Sequence, residues 1–201
     1  MDETLSISHE VFPHVRVVMG IVVGLALTRL LSGIARVVQH PRQHAVYAVH
    51  MLWVLAILVM LVHFWWWEFA LYEIKYWSFA RYLFVVAYAI ALFLLCAFLF
   101  PESMVDYRGY EDFFYAKKTW FFGLLATVFG LDIIDTLMKG MQHLELLGVE
   151  YYVRTPVMIA LSICAMRTDN RRFHWFFAVF TILYQLVWVN AMFDGVAGLP
   201  K

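Results

Sequence analysis

The chain has 201 residues, 64% hydrophobic, 18% aromatic and only 15% charged, with a mean hydropathy of +0.74. A soluble domain of this size is nearer half apolar and a quarter charged and could not hide so much apolar surface, whereas a bilayer accepts it. The formal net charge is zero and no basic run occurs, which argues against nucleic acid as a partner.

About 20 apolar residues cross a bilayer as one helix. Six segments qualify: residues 15–38, 45–67, 79–100, 119–138, 151–166 and 173–193. They are too long, and too uniformly apolar, for the period-two alternation of barrel strands. The expected fold is therefore all-α: a polytopic integral membrane bundle of about six helices. Residues 1–201 form a single transmembrane domain with no separate soluble one. The first segment is too long for a signal peptide and no small-residue cleavage pattern follows it.

Span one carries Gly20, Gly24, Thr28 and Ser32, each four residues apart, a stripe that lets another helix approach closely. Packing within the chain is the simpler expectation, contact with another copy the second. Arg29 also lies inside this span, about two turns from its end, where a long side chain can snorkel to the headgroups.

Span two ends in "LVHFWWWEFALYEIKYW", which holds four of the eight tryptophans. Adjacent helix residues point about 100° apart, so three consecutive Trp rings cannot build one stacked wall. Trp and Tyr gather at headgroup level, and the triplet reads as an interfacial depth marker. His63 and Glu68 flank it. They matter functionally only if polar residues of spans four to six converge on them.

The stretch "YRGYEDFFYAKK" in the 101–118 loop reads as a short interfacial helix leading into span four. Span four holds Asp132, Asp135 and Lys139 within "LDIIDTLMKG". A charge near the bilayer centre costs about 2.5–3.5 kcal/mol on insertion scales, so Asp132 is the leading functional candidate. Asp135 and Lys139 read as an ordinary i,i+4 pair near the surface. Span five opens with Arg154 and has Pro156 in its first turn, where a missing N–H costs little. Span six adds Gln185 and Asn190.

Lys and Arg near span ends number eight on one side and six on the other. The excess, with Arg36, Arg42, Arg108, Lys117, Lys118, Arg167, Arg171 and Arg172, places three loops in the cytoplasm and both termini outside. The expected location is the inner or plasma membrane.

Laying Gly20 on Gly123 aligns "GIVVGLALTRLLSGIAR" with "GLLATVFGLDIIDTLMK" and sets Arg29 on Asp132. Two three-span halves have opposite topology, so a 3+3 inverted repeat is a candidate architecture, with spans one and four as counterparts.

Cys96 and Cys164 lie in apolar segments without CxxC spacing and read as buried small hydrophobes. His50 and His174 sit at the cytoplasmic ends of spans two and six, where a pair of imidazoles is the leading candidate for holding a haem, and His14 could approach His63 on the other side. His40 and His44 flank Pro41, which disfavours a helical metal pair. No metal site, catalytic motif or cofactor is expected. The leading expectation is a small transporter or channel passing an ion, proton or small solute. Its pathway residues are Arg29, Asp132, Asp135, Glu68, His63, Gln185 and Asn190. The alternative is a non-catalytic membrane subunit or scaffold with the bilayer, further copies or a membrane protein as partners; a haem carrier is third.

Overall fold

The computed structural model describes residues 2–74 and 76–197, with side chains over 11–72, 74 and 76–189. Six helices run through them: α1 (Asp2–Gln39), α2 (Ala48–Trp67), α3 (Phe79–Ala97), α4 (Tyr110–Lys139), α5 (Met141–Arg167) and α6 (Arg171–Ala197). All six are long and apolar enough to cross a membrane. A 3-10 segment, Glu68–Glu73, continues α2 beyond its last tryptophan. The bundle has one end at Arg36, Lys118 and the 168–170 turn, and the other at Glu68 and Lys139.

In lipid every backbone polar group must be paired within the chain, which only helices or closed barrels achieve. The unbroken apolar runs supply the helices. α2 is apolar on every side, the pattern of a helix with no solvent face, and it is the central element, in contact with α1, α3, α4 and α6. Val49, Trp53, Ala56, Ile57 and Leu61 are buried along it. The outer helices turn apolar side chains such as Ile21, Leu83, Trp120 and Val187 outward, as a lipid-facing surface requires.

Two boundaries differ from those the sequence suggests. α4 is one continuous helix from Tyr110, not a short interfacial helix followed by a span. Nothing between Tyr110 and Thr119 breaks it, since neither Gly nor Pro occurs there, and Glu111 and Asp112 favour its N-terminal dipole. At 1.5 Å per residue its 30 residues reach about 45 Å, well beyond the hydrocarbon thickness. α5 starts at Met141 rather than at 151, and it is broken at Gly148, whose φ of 68° takes it out of the helix. Pro156 consequently lies in the helix interior, not in its first turn.

Helix pairing gives the inverted repeat no support. In the first half α1 packs closest on α3; in the second, α4 packs closest on α5. Just past the end of α3, the Phe100 ring covers Gly33 of α1 so tightly that a Cβ has no room. Of the small-residue stripe, only Gly20 meets the bundle, under Trp65. Gly24 has open space around it, and Thr28 and Ser32 are exposed on the same outer face. The stripe thus does not pack helices within the chain.

Candidate functional site

At the Glu68 end, groups from four elements converge. Glu68 opens the 3-10 segment, and its Oε1 accepts from the Lys139 ammonium at the end of α4, 3.0 Å away. The same ammonium holds Asp135 Oδ2 at 2.5 Å, one turn earlier on α4. All three side chains are buried, Lys139 to 3% exposure. The pair expected at the surface is therefore a buried triad, joined across 71 residues of sequence.

A second set lies beside it. The Arg154 guanidinium of α5 stands 3.8 Å from Asp132 Oδ2 and 3.8 Å from Glu150 Oε1. It also lies over the rings of Tyr151 and Trp188, at 5.2 and 5.5 Å. The Tyr151 hydroxyl donates to the Asp132 carbonyl at 3.1 Å, tying α5 to α4. Burying such pairs is costly unless geometry and further hydrogen bonds offset desolvation. Here the bonds are incomplete. Glu68 Oε2, Asp135 Oδ1 and Gln185 Oε1 are buried acceptors with no hydrogen-bond donor.

Both sets face one half-open cavity of about 120 Å³. Glu68, Asp132, Asp135, Lys139, Arg154, His63 and Gln185 all line it. Aromatic and aliphatic side chains form the remaining wall, with Trp67 against Trp188 at 5.3 Å and His63 edge-on to Trp188 at 5.9 Å. His143 and Leu147, on the short stretch between Gly140 and Gly148, also reach the cavity. Both glycines have positive φ, 105° and 68°, a backbone state that other residues rarely adopt. The condition set by the sequence for His63 and Glu68 is met, because polar residues of α4, α5 and α6 do converge on them.

Arg29 is elsewhere. Its guanidinium donates to the Phe100 carbonyl at 3.3 Å, and Arg36, two turns further along the same face, donates to the Pro101 carbonyl at 3.2 Å. Together they satisfy carbonyls just beyond the end of α3. Arg29 and Asp132 therefore do not share a cavity. The side chain of Asn190 lies outside the described residues.

The Arg36 end is closed by rings. Trp53 meets Phe121, Phe122 and Phe177 at 4.9–5.4 Å. His50 is 1% exposed between Tyr110, Phe100 and Phe113 and faces the Leu99 carbonyl. His174 stacks on Phe122, and its Nε2 lies 2.9 Å from the Thr168 carbonyl. The ring of Phe114 touches both imidazoles. Lys118 binds Asp169 at 2.6 Å and the Thr168 carbonyl at 2.7 Å, fixing the α5–α6 turn to α4. That bond holds the Asp169 carboxyl below its usual range. Among the described residues, no group of three or more His, Cys, Asp or Glu side chains is arranged to hold a metal ion.

Comparison with protein-family models, curated proteins and solved structures returned no match to this chain. The functional reading consequently rests on the chemistry of the cavity itself.

The Asp135–Lys139 pair and Arg154 are legible in the sequence, but the burial of that pair and its extension to Glu68 are not. The contact to Glu68 had no local signal at all.

Proposed function

We propose that the chain is a small membrane transporter or channel that passes an ion, proton or small solute, with the charged cavity as its binding station. One observation carries this reading: three carboxylates and two cations, from the 3-10 segment, α4 and α5, face the same half-open cavity inside a membrane bundle. Charges at membrane depth are expensive, and a bundle that needed only adhesion is served as well by apolar packing. Charges that line a space, with acceptors left free, suit a passing guest.

The roles follow from position. Glu68, Asp135 and Asp132 attract the guest; Lys139 and Arg154 hold the carboxylates apart and limit the excess negative charge. His63 and Gln185 contribute at the rim. Arg29 is left out of the pathway and anchors α1 to the end of α3. The reading is non-enzymatic and calls on no cofactor. With the Lys and Arg bias placing the Arg36 end in the cytoplasm, the cavity opens to the outside of an inner or plasma membrane, on the side of both termini.

The test is flux in proteoliposomes of the purified chain, with proton, potassium and small-solute gradients in turn. Wild-type vesicles should exceed protein-free ones for at least one gradient, and Glu68→Gln should cut that flux at least tenfold. Wild-type vesicles indistinguishable from protein-free ones under every gradient would sink the reading.

A membrane subunit or scaffold is the second reading, favoured by one observation: Gly24, Thr28 and Ser32 face outward with room for another helix. A partner that copurifies in fixed ratio and is lost on Gly24→Leu supports it.

A further inference from the structure

We propose that the guest of this cavity is a small organic monocation, a protonated amine, which is a narrower claim resting on the transport reading above. The charge balance sets the sign. Counted as formal charges, Glu68, Asp132 and Asp135 bring three negative ones, and Lys139 and Arg154 bring two positive ones, of which Arg154 is shared with Glu150 outside the cavity. The cavity is one positive charge short, and in a low-dielectric surrounding that shortfall attracts a single cation.

Hydrogen-bond chemistry sets the kind of cation. Glu68 Oε2, Asp135 Oδ1 and Gln185 Oε1 are buried acceptors that no donor meets. An ammonium offers two or three N–H donors to such oxygens. The protein already shows the match, since Glu68 and Asp135 cradle the Lys139 ammonium with their other oxygens at 3.0 and 2.5 Å. A guest ammonium takes the second oxygen of each carboxylate and lies beside that of Lys139, with Asp132 balancing the added charge.

The wall sets the rest of the guest. Trp67 and Trp188 face the cavity, and Trp188 already lies 5.5 Å from the Arg154 cation. Aromatic faces attract cations and apolar stems alike. A bare metal ion finds a poorer site, because no three carboxylate or imidazole side chains among the described residues converge on one point. The volume of about 120 Å³ admits a compact guest only.

The experiment uses the full chain in nanodiscs and reads tryptophan fluorescence, which Trp67 and Trp188 make sensitive to the cavity. The probes are benzylammonium, tetramethylammonium, potassium and acetate, each at constant ionic strength and pH. Benzylammonium should give a saturable change. Its affinity should fall at least tenfold in Glu68→Gln with Asp135→Asn, and several-fold in Trp188→Leu, which leaves every charge in place. Tetramethylammonium, with no N–H donor, should bind at least tenfold more weakly, and potassium and acetate should give no saturable change. No saturable response to benzylammonium, or a stronger one to acetate or potassium, overturns the proposal. Amine binding without flux in vesicles defeats the transport reading and leaves the site standing. Flux of another species without amine binding does the reverse.

Discussion

The two ends of the bundle bury different material and solve opposite problems. At the Arg36 end, Trp53, Phe114, Phe121, Phe122 and Phe177 interlock as edge-to-face and stacked rings, and His174 Nε2 and the Lys118 ammonium meet the backbone of the adjacent turn. At the Glu68 end, five ionisable groups surround a space, and several of their oxygens meet no donor. Unpaired polar atoms are buried at both ends, but at the first they are ring nitrogens of His50, Trp53 and His174. At the second they belong to acidic, basic and amide side chains around a cavity, where burial without a partner costs more.

The largest effect that can break this comparison is at Lys139. Lys139→Ala leaves Glu68 and Asp135 facing each other without their shared cation, and breaking a buried pair costs about 3–5 kcal/mol. Thermal unfolding in detergent should show the loss, and adding Glu68→Gln and Asp135→Asn should restore most of it. If the single variant unfolds like the wild type, the triad is not buried as described.

Trp53→Ala comes next. Removing the ring from between three phenylalanines opens a cavity worth about 3–5 kcal/mol in the same unfolding assay. No second substitution among charged groups should rescue it, which separates the ring-filled end from the charged one.

A smaller effect sharpens the picture of α1. Gly33→Ala pushes a methyl group into the Phe100 ring and should cost about 1–3 kcal/mol, as overpacking does. Gly24→Ala, in open space, should stay within about 0.5 kcal/mol. Equal losses at both positions would mean that the exposed face of α1 is covered in solution.

The smallest effect concerns the α5–α6 turn. Its hydrogen bond from Lys118 lowers the Asp169 carboxyl in the folded chain. The sign follows: the contribution is present above the unfolded carboxylate value of about 3.9 and fades as pH falls below it. Asp169→Asn should flatten the unfolding temperature between pH 5 and pH 3, on the order of the window set by that value, without changing it much at pH 7.

Six spans were legible because their apolar runs exceed what a soluble helix needs, and their ends differ from expectation only where local chemistry decides. Gly148 moves the break in α5, and the absence of Gly or Pro before Thr119 lets α4 run on. Asp132, Asp135, Glu68 and His63 were legible as costly residues, one by one. Their convergence was not, since Lys139 reaches Glu68 across 71 residues and no periodicity encodes that contact. Pairing Arg29 with Asp132 through a repeat drew on two helices that place those groups at different ends of the bundle. His50 and His174, read as candidate haem ligands, both pack against the Phe114 ring. The stripe on α1 was visible, but sequence spacing alone does not tell an inner face from an outer one; Gly33, the glycine that does bury, belongs to no repeat.

The most direct test compares two charge removals that the sequence makes look equivalent: flux per folded protein in proteoliposomes for Asp132→Asn and for Arg29→Gln, beside the wild type. The account predicts at least a tenfold loss for Asp132→Asn and a change of less than about twofold for Arg29→Gln, whose guanidinium only serves the Phe100 carbonyl. Full flux in Asp132→Asn, or equal losses in both variants, would contradict it.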